Sequence, residues 1–134
     1  MIFVDTSAFL ALENRHDIYH DKALIYKDDC LKNGQNFITS DYVLDESYTI
    51  IRMRAGHATA VHFGETLRRS QFIHIELIRP EIFEEAWKIF KAFSDHDFSF
   101  TDCTSFALME RLNIPTAFSF DAHFHKYGHF IIKP

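Results

Sequence analysis

The chain has 134 residues, 47% hydrophobic and 25% charged, with a formal net charge of −5; this describes one globular domain over residues 1–134 and excludes a disordered or fibrous chain. Fifteen Phe, five Tyr and one Trp can fill a core unaided, each buried ring removing roughly 150 to 250 Å² from water, while Cys30 and Cys103, far apart and outside any CxxC pair, exclude a zinc knuckle and a dithiol redox motif. No window approaches the roughly 20 apolar residues of a membrane helix, and no basic residue precedes the Ala8–Leu12 run, so no secretory signal is expected and a reducing cytoplasm is the expected location.

Ile2-Phe3-Val4 reads as a buried strand ending in the polar Asp5-Thr6-Ser7, where a first helix begins. Residues 17–32 are helix-permissive, with Ile18, Leu24, Ile25 and Leu31 as apolar positions and Asn33-Gly34 as the stop. Phe37-Ile38-Thr39 is a short strand; Ser40 is a helix N-cap for a segment running to about Arg54, which Gly56 closes. His57 to Arg69 continues as helix, Phe72 to Leu77 is rich in strand formers, and Pro80 opens a helix through Phe93. Thr101 is read as the cap of a helix to Leu112, followed by strands at Thr116–Phe120 and Phe130–Ile132. Short strands alternating with helices predict an α/β domain whose mainly parallel central sheet has helices on both faces.

In such sheets ligands collect beyond the carboxyl ends of the strands. Asp5 and Asp121 each follow a strand, and Asp102 opens a helix. Glu46 lies inside a helix, beside an inward stripe of Val43, Ser47, Ile50 and Ile51, while Asp45 points nearly the opposite way at 100° per residue. Asp102, Phe106 and Met109 share one helix face, which turns Asp102 toward packed surface. Taken singly, each acid could be a cap or a dipole partner worth about 0.3 to 1 kcal/mol; together they form a pattern.

Four segments carry that pattern: Ile2-Phe3-Val4-Asp5-Thr6-Ser7, Thr39-Ser40-Asp41-Tyr42-Val43-Leu44-Asp45-Glu46, Phe98-Ser99-Phe100-Thr101-Asp102, and Phe118-Ser119-Phe120-Asp121-Ala122-His123-Phe124. In content, order and spacing they resemble the PIN-domain family and, within it, the VapC-type toxins of toxin–antitoxin pairs. The resemblance implies an acidic quartet of Asp5, Glu46, Asp102 and Asp121 acting as catalytic and metal-holding groups, with Ser7, Thr101 and Ser119 as hydroxyls beside it. Ser119 stands where the family often has Thr, and the hydroxyl is kept. The implied activity is metal-dependent endoribonuclease, the implied partners an RNA substrate and a cognate antitoxin protein, and the implied assembly a homodimer.

Two carboxylates about 5 Å apart repel by roughly 3 kcal/mol at an effective dielectric near 20, so protonation or a cation must relieve the quartet. All-oxygen ligands suit Mg²⁺ or Mn²⁺ better than Zn²⁺, and the metal would activate water for attack on phosphorus, leaving a 5′-phosphate and a 3′-hydroxyl. The acidic total argues against a polyanionic partner, yet Arg52, Arg54, Arg68 and Arg69 cluster between Ile51 and Ser70 with Glu65 as the lone acid. They are candidate phosphate contacts, or simply solvated helix arginines.

Other readings are weighed on the same residues. His123, His125 and His129, or His16 and His20, lack the strict tetrahedral spacing of a zinc site, and the resemblance implies that His123 packs under the active-site loop. A metal-independent ribonuclease with two histidines would leave cyclic phosphates. A PIN-like module that binds without cutting would be expected to lose acids, and a housekeeping RNA-processing nuclease often carries extensions absent here. An antitoxin would insert a basic side chain among the acids, laying an apolar segment over Phe9, Leu10, Leu12, Ile18, Leu24 and Ile25, whose simpler role is core packing.

Overall fold

The computed structural model describes residues 1–134. In chain order its elements are β1 (Ile2–Val4), α1 (Thr6–Glu13), α2 (His20–Lys32), β2 (Phe37–Ser40), α3 (Asp41–Ala55), α4 (His57–Arg69), β3 (Ile73–Glu76), α5 (Pro80–Ala92), α6 (Phe100–Arg111), β4 (Thr116–Phe118), α7 (Ala122–Tyr127) and β5 (Ile131–Lys133). The five strands form one parallel sheet in the order β3-β2-β1-β4-β5. The chain builds outward from β1 to β3 on one side, then crosses back to β4 and β5 on the other. The switch in direction lies between β1 and β4, where Phe3 pairs with Ala117 and Val4 with Phe118.

Every residue of β1 and β2 is buried, so both faces of the sheet are covered, as parallel sheets require. Alternation along the strands divides the core into two layers. Val4 and Phe118 look toward a cavity of about 240 Å³ shared with Phe9, Leu24 and Phe63 of α1, α2 and α4. On the opposite face Phe3 stacks on Phe124 of α7, which meets Phe106 of α6 edge to face. Helix α6 is buried without interruption from Asp102 to Met109, so a carboxylate at its start is carried into the interior of the molecule.

Several boundaries differ from the sequence expectation, each for a local reason. The second helix starts at His20 rather than residue 17, because the Asp17 side chain accepts the Tyr19 N–H at 2.8 Å and its carbonyl accepts that of His20, a turn that competes with helix. The buried positions of α2 are Ala23 and Cys30; Ile18 is 86% and Ile25 63% exposed, so the apolar positions expected there do not define its core face. The cap of α6 is Ser99, not Thr101. Ser99 Oγ accepts the Asp102 N–H and Asp102 accepts the Ser99 N–H, a reciprocal box that satisfies two otherwise orphan donors. The fourth strand ends at Phe118 and is followed by α7, which the sequence reading did not anticipate; Asp121 caps it and Gly128, in the left-handed region, ends it.

Candidate active site

The carboxyl ends of β1 and β4 are adjacent at the switch point, the place where a parallel α/β sheet leaves an open crevice. Asp5 stands directly beyond β1 as the N-cap of α1. Its Oδ2 accepts from Ser7 Oγ at 2.9 Å and Ser119 Oγ at 3.1 Å, with the Ser7 N–H more distant at 3.4 Å. The two hydroxyls lie 3.2 Å apart and in turn accept the backbone N–H groups of Phe120 and Asp121. The loop after β4 is therefore tied to the loop after β1 through two serines, and Asp5 is fixed between them.

The other acids arrive from separate elements. Asp102, third residue of α6 and buried, uses Oδ2 both for its capping bond and toward His123 Nδ1, 2.8 Å away. Asp121 is half-buried, and its Oδ1 accepts the His123 N–H at 2.9 Å. Glu46 is half-buried on α3, one residue past exposed Asp45, in agreement with the helical phase. No lysine or arginine pairs with any of these four; the sole cationic candidate in contact is His123.

Charge repulsion records the convergence. Burial pushes the Asp5 carboxyl up to about 7, with the Asp102 charge adding to the effect, Ser7 opposing it and Asp121 contributing further. Asp102 is raised by burial, against the Ser99 N–H and with the help of Asp121. Glu46 is raised by burial, against the Thr6 hydroxyl and with help from Asp102, Asp121 and Asp45. Three carboxyls thus feel other members of the quartet across four elements, a repulsion that protonation or a bound cation would relieve.

Of the expected supporting hydroxyls, Ser7 and Ser119 both bond Asp5. Thr101 instead offers its carbonyl to Thr104 and Ser105 and lines a cleft with Glu46. His123 does not simply pack under the loop: it meets Phe98 edge to face and turns Nδ1 into the acids. Sequence reading passed over that role because α7 was unseen; an Asp cap with Gly128 seven residues on is the signal that marks it. Ligand atoms of Asp102, Asp121 and His123 lie within 4.8 Å of one another, a cluster able to hold a metal ion, and Asp5 and Glu46 are outside that cluster. The remaining histidines disperse, His129 to Glu110 and His20 to the Ala11 carbonyl.

The four arginines also separate. Arg54 lines the cleft that contains Glu46 and Thr101. Arg52 and Arg68 line a different hollow, with Tyr48 and Glu65, and Arg69 lies 3.7 Å from Glu65.

The PIN-domain profile matches residues 2–129, and the chain belongs to the PIN-domain family. It is 34% identical, over all 134 of its residues and 99% of the relative, to the 23S rRNA-specific endonuclease VapC20 of two Mycobacterium tuberculosis strains. The crystal structure of M. tuberculosis VapC20, described as a sarcin–ricin loop cleaving toxin, superposes with a TM-score of 0.88 at 33% identity and full coverage of both chains. VapBC2 of Rickettsia felis, crystallised with a fragment of promoter DNA, shares the fold at a TM-score of 0.75 and 13% identity, covering 99% of this chain and 98% of that one. No helix is long and apolar enough to cross a membrane.

Proposed function

We propose that this protein is a Mg²⁺- or Mn²⁺-dependent endoribonuclease of the VapC toxin kind, acting in the cytoplasm on a ribosomal RNA loop and silenced by a cognate antitoxin. The observation that carries this reading is a set of four carboxylates, Asp5, Asp102 and Asp121 beside the switch point and Glu46 reaching them from α3, with no lysine or arginine paired to them and His123 as the one basic side chain in contact. The ribosomal substrate is inferred from the full-length similarity to VapC20.

Asp5, Asp102 and Asp121 would hold the ion, which when bound supplies a Lewis acid for water activation and for charge on the phosphoryl oxygens. Ser7 and Ser119 keep Asp5 in one rotamer by donating to the same oxygen. His123 holds Asp102 through the same oxygen that takes its capping bond, as outer partners orient ligating carboxylates. Glu46, on α3 and within electrostatic reach of Asp102 and Asp121, would take a proton from the water that attacks phosphorus. The P–O bond to the 3′ oxygen breaks, and the products are a 5′-phosphate and a 3′-hydroxyl.

The partners follow from surface chemistry. The half-open apolar cavity beside α1, α2 and α4 receives an amphipathic antitoxin segment, whose basic side chain reaches the acids. Phe9 and Leu10 are buried core and Ile25 points to solvent, so Leu12, Leu24 and Leu31 form the usable wall. On α5, Phe83, Trp87 and Phe90 are 40–44% exposed in one stripe, a surface suited to a second copy of the chain.

The test is cleavage of ribosomes and of a sarcin–ricin stem–loop transcript by purified protein, with Mg²⁺ or Mn²⁺ and with excess chelator. Cutting should require the metal and leave 5′-phosphate ends. Full activity in chelator, or 2′,3′-cyclic phosphate products, would overturn the metal mechanism.

A further inference from the structure

The cleft that opens from Glu46 along α3 holds about 590 Å³ and is lined also by Thr101 at the start of α6. Its character changes along its length. Asp45 and Glu46 stand at one end, Ile50 lies one turn further, and Met53 and Arg54 one turn beyond that. At 1.5 Å per residue, Arg54 sits about 12 Å along the axis from Glu46, a distance of a few nucleotides on an extended strand. Met53 is 79% exposed and Ile50 half-buried, giving an apolar wall between two charged ends. No carboxylate pairs with Arg54, whereas Arg69 and Arg111 each have one.

We propose that this cleft is a channel for one unpaired RNA strand leading away from the acid cluster, with the Arg54 guanidinium holding a phosphate a few nucleotides from the bond that is cut; this rests on the nuclease reading above. The charge gradient sets the strand's position. The phosphate at the Glu46 end can be tolerated only with a divalent cation among the acids, while the phosphate at the other end meets an unpaired fork of N–H donors. Between them Met53, polarizable and flexible, packs against a base or sugar without reading its identity. Arg52, two residues from Arg54, points about 200° away around the helix and lines the other hollow with Arg68. The arginine cluster is therefore divided: Arg54 serves the strand, and Arg52, Arg68 and Arg69 do not.

Binding is measured separately from cutting, in the full chain carrying Asp5→Asn, by fluorescence anisotropy of a fluorescein-labelled sarcin–ricin stem–loop RNA and a labelled oligouridine of equal length over a salt series. Adding Arg54→Gln should weaken both RNAs about tenfold and flatten the dependence of log affinity on log salt by about 0.7, the value for one phosphate contact on a single strand. Arg54→Lys should keep the slope and recover part of the affinity. Arg52→Gln should change affinity less than twofold. Equal effects of Arg52→Gln and Arg54→Gln, or none from Arg54→Gln, overturn the channel. A change in sedimentation with RNA affinity intact would make the cleft a protein interface and also overturn it. Failure of the unaltered chain to cut RNA, with the Arg54 effect on binding present, would instead overturn the nuclease reading and leave only the Arg54 phosphate contact standing.

Discussion

Asp5 has a folded value near 7 against an ordinary 3.8, so the folded protein holds this proton more tightly than the unfolded chain does. Its contribution to stability is complete below about pH 4 and is lost as pH rises through 7, a loss on the order of 4 kcal/mol by linkage. Asp102 and Glu46 shift in the same direction. Metal-free protein should therefore melt at lower temperature at pH 8 than at pH 5, and millimolar Mn²⁺ should restore the loss at pH 8 while doing little at pH 5. Asp5→Asn should raise the melting temperature at pH 8 and abolish cutting. A melting curve without metal that is flat across this range would remove the electrostatic argument. A second residue-level test compares neighbours: Glu46→Gln should lower cleavage at least a hundredfold, within the range of general-base effects, whereas exposed Asp45→Asn should retain most of it. Equal losses would mean that the wrong face of α3 has been assigned to the reaction. The positions of these acids on their elements were legible because strand ends and helical phase are local properties. His123 was not, since its partner lies 21 residues away on another helix.

Among the elements, α3 and α4 illustrate what local sequence can specify. Ser40, Gly56, and the limits of α4 at His57 and Arg69 were all readable from caps and breakers. Gly56 has φ +98° and ψ 161°, with nothing within 4 Å of an added Cβ. Gly56→Ala should thus destabilise by about 1–3 kcal/mol through backbone strain alone, seen as a lower urea midpoint with an unchanged slope; a neutral result would show that the α3–α4 corner relaxes freely. Where sequence reading failed, side-chain bonds outcompeted propensity. Asp17 delayed α2 by an Asx turn, and the Ser99–Asp102 box took the cap expected of Thr101. On α5 the start at Pro80 was readable, but the exposure of Phe83, Trp87 and Phe90 depends on which neighbours cover them. Trp87→Glu should convert a dimer to a monomer in light scattering, with the isolated domain still folded; a monomeric parent chain would retire that use of the stripe.

At the level of the whole molecule, the central pairing joins distant parts of the chain: Phe3 with Ala117, and Asp5 with Ser119, 114 residues apart. Such contacts form late in folding, because a long loop must close before they repay its entropy. Helices α1 to α4 and the β1–β2–β3 half can take shape while the β4 side is still unpaired, yet Asp5 has no Ser119 to orient it and no Asp121 beside it until β4 docks. Hydrolytic competence is thereby coupled to completion of the tertiary structure. On dilution from denaturant, helical circular dichroism should return before RNA cutting does, and simultaneous recovery would argue against this order. For an enzyme that cuts RNA the consequence is protective: a growing polypeptide that has not yet delivered its fourth strand carries most of the acids but not yet the arrangement that would cut the RNA around it.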